Sequence, residues 1–74
     1  MNRQPVFVFR TSVQSAADVA QLRPALEQVL APEERWTVDL EDRDRVLRIE
    51  ATHTPAHAVV ALLHGHGHEC TELE

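Results

Sequence analysis

Six short apolar patterns follow one another within 74 residues, and their order leaves few ways for the chain to fold. Pro5 to Arg10 (PVFVFR) is β-branched and aromatic, with Phe7 and Phe9 on one face and Val6 and Val8 on the other, which predicts a strand. After the polar, small-residue loop Thr11 to Ala17, Val19, Leu22, Ala25, Leu26, Val29 and Leu30 repeat at helical spacing. Pro32 marks the end of that helix, and Pro24, lacking an N–H, should kink it or loosen a hydrogen bond. Trp36, Val38 and Leu40 alternate with polar residues, as do Leu47, Ile49 and Ala51 within Arg45 to Ala51. With the turn Glu41-Asp42-Arg43-Asp44 between them, the two runs predict a hairpin. Thr54 as N-cap and Pro55 at the first helical position open a second helix, Ala56 to about His64, which Gly65 and Gly67 end. A short strand over about His68 to Leu73 closes the chain.

With short connections and right-handed crossovers, this order gives an α+β, ferredoxin-like βαββαβ fold. Its four-stranded antiparallel sheet carries both helices on one face. The whole of 1–74 reads as a single domain with a core over about 5–73, and no internal repeat or linker divides it. Hydrophobic residues make up 43% of the chain, enough to fold, although a domain of this size buries only about 60% of its unfolded surface.

Charge and composition exclude several classes of function. The net charge is −5, every basic residue is Arg, and arginines alternate with acids, as in Glu41-Asp42-Arg43-Asp44-Arg45. No basic stripe exists to neutralise phosphates, so nucleic acid and acidic lipid surfaces are poor partners. The longest apolar run, Ala58 to Leu63, is far shorter than a membrane span, and MNRQP lacks a signal pattern. The single Cys70 allows no intramolecular disulfide and suits a reducing compartment. These features lead us to expect a soluble, cytoplasmic protein.

Arg10-Thr11-Ser12-Val13 after the first strand, Arg23-Pro24-Ala25-Leu26 in the helix, Trp36-Thr37-Val38-Asp39 and Gly67 together resemble the heavy-metal-associated, metallochaperone-like domain family, and in particular its small free-standing bacterial members. The first of these segments leads to where that family carries its metal loop, with Val13 at the apolar position ahead of the cysteine motif. Arg23-Pro24-Ala25-Leu26 is similar to a proline-bearing first helix, Trp36-Thr37-Val38-Asp39 to a tryptophan-led second strand, and Gly67 to the glycine before the last strand. The resemblance spans roughly residues 5 to 73 and implies the ferredoxin-like fold and a link to transition-metal homeostasis. The family's two metal-binding cysteines would fall at Ser15 and Asp18, so its CxxC motif is degenerate here. A hydroxyl and a hard carboxylate cannot supply the soft thiolates that select Cu(I).

Ser15-Ala16-Ala17-Asp18 instead fits a helix cap, with the Ser15 hydroxyl accepting from the Asp18 N–H and the carboxylate returning toward the Ser15 N–H. What transition-metal chemistry remains is concentrated in His64-Gly65-His66-Gly67-His68-Glu69-Cys70. His64 and His68 would share a face if the helix continued, and His66 and His68 if the segment were extended. Topology places this tract at the same end of the sheet as Ser12, Gln14, Ser15 and Asp18. A relocated site of His64, His66 and His68, with Asp18 as an oxygen ligand, would favour Zn(II), Ni(II) or Cu(II). The competing reading is an exposed, histidine-rich turn at a helix C-terminus, where the dipole favours imidazolium without any metal.

His53 and His57 lie at the opposite end and carry no assigned role. Cys70 reads as a core thiol, Trp36 as packing, and Arg43 and Arg45 as solvated partners of Asp42 and Asp44. Val6, Val8 and Val46 form an apolar patch on the sheet face without helices, suited to dimerisation or docking. No catalytic arrangement is visible, so an enzyme is not expected. Two functional readings follow. One is a heavy-metal-associated-like binding domain, monomeric or weakly dimeric, handling a divalent metal through the histidine cluster. The other is a metal-free protein–protein interaction module on the same scaffold.

Overall fold

A computed structural model of the chain describes residues 6–73. The expected element order is present: strand β1 (Val6–Thr11), helix α1 (Ala16–Val29), strands β2 (Arg35–Asp39) and β3 (Val46–Glu50), helix α2 (Ala56–Gly65) and strand β4 (Cys70–Leu73). The strands form one antiparallel sheet in the order β2-β3-β1-β4, the ferredoxin-like arrangement. Pro5, the expected first residue of β1, lies outside the described residues.

Cross-strand register explains which residues build the core. Phe7, Ile49 and Trp36 lie opposite one another on β1, β3 and β2, and Phe9, Leu47 and Val38 form the next row on the same face. Phe9, Leu47 and Ile49 are fully enclosed by Leu22 and Leu26 of α1 and Val59 and Leu63 of α2, so both helices cover this face. Removing one such buried leucine costs about 2–5 kcal/mol, large beside the ~4–11 kcal/mol that holds a domain of this length. Helix α1 begins at Ala16, earlier than the periodicity alone suggests, because Ser15 caps it. Pro24 does not divide the helix, which runs unbroken through it.

The largest departure from expectation is Glu34, in the connection from α1 to β2. The residue is only 7% exposed, yet its carboxylate is fully satisfied. Oε2 accepts from the main-chain N–H of Thr52, His53 and Thr54 at 2.5, 2.8 and 3.1 Å. Oε1 accepts from the Ala31 N–H at 2.6 Å and the Thr54 hydroxyl at 2.7 Å, while the Glu34 N–H donates to the Ala31 carbonyl. Thr54 is therefore not the N-cap of α2. That position falls to Pro55, whose side chain has no capping bond to give.

Burial on its own raises the Glu34 pKa, but the converging donors outweigh it and hold the group down at about 2, against an ordinary 4.5. A carboxylate depressed in the folded state contributes stability in full above pH 4.5, and that contribution is lost as pH falls through about 2. Glu34→Ala should lower unfolding free energy by roughly 3 kcal/mol or more, since several charge-assisted bonds and the order of two connections go together. Denaturant titrations should show the wild-type advantage over Glu34→Gln shrinking as pH falls from about 5 to about 2, the span of the shift.

Candidate functional site

Three connections meet at the end of the sheet away from Glu34: residues 12–15 before α1, residues 40–45 between β2 and β3, and residues 66–69 between α2 and β4. Their junction is the place the sequence singles out for chemistry. Ser12 joins the first connection to the last, its N–H donating to the Glu69 carbonyl at 3.1 Å and its Oγ accepting from the Glu69 N–H at 2.8 Å. The expected adjacency of the first loop and the histidine tract is therefore real, although Glu69 makes the contact.

Arg45 joins the first connection to the hairpin turn. It sits at φ 48°, in the left-handed region, where a non-glycine residue stores strain of about 1–3 kcal/mol. Its Nη1 donates to the carbonyls of Leu40 at 2.9 Å and Gln14 at 3.2 Å. This corrects the expectation that Arg45 pairs with the neighbouring acids. It is half-buried and satisfies main-chain carbonyls that the turn leaves over. Thr11 completes the frame: its hydroxyl donates to the Arg45 carbonyl at 2.6 Å and accepts from the Val13 N–H at 3.3 Å.

Within this frame Ser15 and Asp18 form a cap. The Ser15 Oγ accepts from the Asp18 N–H at 3.3 Å, as expected. The Asp18 carboxylate, however, returns to the N–H of Gln14 at 3.1 Å, one residue earlier than the sequence pattern suggests. The carboxylate also sits in the first turn, at the positive end of the helix. Both side chains are thus committed to the α1 terminus, and a hydroxyl with a carboxylate is not a donor set that fits a soft metal ion.

The histidine tract takes up neither geometry allowed by its spacing. Helix α2 ends at Gly65, and a turn reverses the chain: the Gly67 N–H donates to the His64 carbonyl at 3.0 Å and the His68 N–H to the Leu63 carbonyl at 2.9 Å. This pair of bonds is a Schellman motif, and Gly67 occupies its left-handed position at φ 84°. His64 and His66 are exposed and His68 is half-buried. Among the described residues no three His, Cys, Asp or Glu side chains come together to hold a metal ion, so His64, His66, His68 and Asp18 are not assembled as one ligand set.

The remaining reactive groups are accounted for by packing and simple pairing. Cys70 lies in the core opposite Thr11, and burial pushes its thiol up to about 11, so it is neither thiolate nor nucleophile near neutral pH. His53 Nε2 lies 3.1 Å from Glu33 Oε2 on the surface at the Glu34 end. Trp36 packs against the core, with the Arg23 guanidinium 5.2 Å from its ring centroid. No helix is long and apolar enough to cross a membrane among the described residues.

Of the residues that shape this site most, Thr11 reads from sequence only as part of the first loop, and Arg45 as a solvated ion-pair partner. The signal for Thr11 is a polar residue where β1 should end in a buried position, and nothing in the local pattern marks Arg45 as left-handed.

Ser15→Ala and Asp18→Ala should each cost about 1 kcal/mol of stability, measured by urea denaturation, without disturbing the sheet. Gly67→Ala should cost about the same for a different reason, since alanine must adopt the left-handed conformation. No family model, curated protein or solved structure matches the chain.

Proposed function

We propose that the chain is a small, non-catalytic, cytoplasmic protein-binding domain, built on the heavy-metal-associated scaffold and working without a metal in its first loop. The observation that carries this reading is the closed cap at α1. Ser15 Oγ and an Asp18 carboxylate oxygen are both spent on main-chain N–H groups, at the two positions where the resemblance would put thiolates. A loop that saturates its own donors is organised for stability rather than for cargo. The uncovered sheet face, with Val6 exposed and Val8 and Val46 half-buried, supports an interaction role over a purely structural one.

A second reading places a divalent metal (Zn, Ni or Cu(II)) on His64, His66 and His68. Its support is the Ser12–Glu69 contact, which keeps the histidine turn beside the first loop. Coordination would require the three imidazoles, which are not gathered among the described residues, to be brought onto one ion.

Copper uptake under reducing conditions tests the proposal. Wild-type protein should compete poorly with a Cu(I) chelator, whereas Ser15→Cys/Asp18→Cys should take up Cu(I) stoichiometrically, because cysteines at a helix N-terminus ionise readily. Stoichiometric uptake by the wild type would contradict a metal-independent first loop. Failure of the double variant would remove the support for a heavy-metal-associated scaffold.

A further inference from the structure

Strands β2 and β4 are the two edges of the sheet, and each presents an unpaired row of main-chain donors and acceptors. They differ in what flanks that row. Around β4 the charged side chains are Glu69 and Glu72, so two β4 strands brought together would repel. Strand β2 reads Arg35-Trp36-Thr37-Val38-Asp39, a sequence whose charges are opposite at its two ends.

We propose that β2 is a self-complementary docking edge whose occupant is a second copy of this chain, paired antiparallel about a two-fold axis at Thr37. In that register Arg35 of each copy faces Asp39 of the other, Trp36 faces Val38, and the two Thr37 residues face each other. It is the one register that overlaps the full strand with like-facing side chains, since a shift of two residues leaves strand ends unpaired. Both cross-strand pair types are favourable: opposite charges on the helix-free face, and an aromatic beside a β-branched residue on the helix side.

The surroundings suit this occupant. The Arg35 guanidinium makes no ion pair among the described residues, where such pairs are confined to Arg23–Glu27 and His53–Glu33. Among the described residues Asp39 accepts through Oδ1 alone, from the N–H groups of Glu41 and Asp42, which leaves Oδ2 open to a partner. Beside the edge runs an open cleft of about 750 Å³ in which Leu30, Pro32 and the half-buried Trp36 lie among charged side chains, Arg35 and Arg48 with Glu27 and Glu50. Within the strands Arg35 and Asp39 cancel, as do Arg48 and Glu50 on β3, whereas Glu33 and Glu41 just outside β2 face each other in this register and keep the association weak. Pairing would join two sheets into one and remove both β2 edges from solvent. A seam of one short strand is small for a dimer, so Kd should be on the order of 100 μM. The proposal uses no residue of the first loop or the histidine turn, and it stands apart from the question of metal.

Sedimentation equilibrium in the presence of a chelator tests it. The wild-type protein should show a mass rising from monomer toward dimer with concentration. Arg35→Glu and Asp39→Arg each turn two attractive pairs into two repulsive ones and should weaken association about tenfold or more. A mixture of the two variants should associate again. The glutamate introduced at position 35 of one copy then faces the arginine introduced at position 39 of the other, while the unchanged Asp39 of the first faces the unchanged Arg35 of the second. Rescue also shows that both variants are folded. A wild-type monomer up to about 1 mM would overturn the proposal. So would variants that associate as well as the wild type, or a mixture of folded variants that stays monomeric.

Discussion

The buried carboxylate of Glu34 is the interaction on which the two crossovers depend. In a βαββαβ chain the connections from α1 to β2 and from β3 to α2 meet at one end of the sheet, and both leave main-chain donors unpaired. A single side chain collects them: three consecutive N–H groups from Thr52 to Thr54, the Ala31 N–H and the Thr54 hydroxyl. An apolar residue there would bury the same surface and leave those donors without partners, a penalty of about 1–3 kcal/mol for each one shut away from water. A chain with so thin a core has little margin for such losses, which is why this one polar contact counts for so much.

The opposite end is held by different means. No side chain sits at the centre of it; Thr11, Ser12 and Arg45 each bridge two connections, and the Schellman turn after α2 closes the third. All four devices satisfy main-chain groups with protein donors and acceptors. A metal loop needs side chains held ready for an ion, whereas here the first loop keeps Ser15 and Asp18 for its own backbone. This end of the sheet is therefore closed by the protein's own donors and acceptors among the described residues.

Much of the fold was legible in the sequence because it rests on periodicity. Phe9, Leu47, Ile49, Leu22, Leu26, Val59 and Leu63 announce their faces through spacings of two and of three to four, and all seven are core residues. The Ser15 cap was legible too, as a local pattern. What was missed depends on contacts distant in sequence. Glu34 follows Glu33 in a polar segment, and nothing nearby tells the buried carboxylate from the exposed one; the residues that select it are about twenty positions away. Arg45 was misread because its neighbours Asp42 and Asp44 are obvious ionic partners, while its true partners are carbonyl oxygens, which sequence does not reveal. The histidine tract was ambiguous for a further reason: its glycines permit several geometries, and a local closure onto Leu63 and His64, with Gly67 left-handed, selects a turn that Ser12 then fixes through Glu69.

On the proposed reading this domain holds its structure and acts without a metal. The measurement that bears on it most directly is a two-dimensional amide NMR titration of chelator-stripped wild-type protein with Zn(II), Ni(II) and Cu(II). A metal-independent domain should give a well-dispersed spectrum before any metal is added, and only weak, unsaturated shifts near the exposed histidines afterwards, alike for each ion. Saturable shifts at stoichiometric metal, centred on His64 to Cys70 and reaching Ser15 and Asp18, would contradict it and make the histidine turn a metal site.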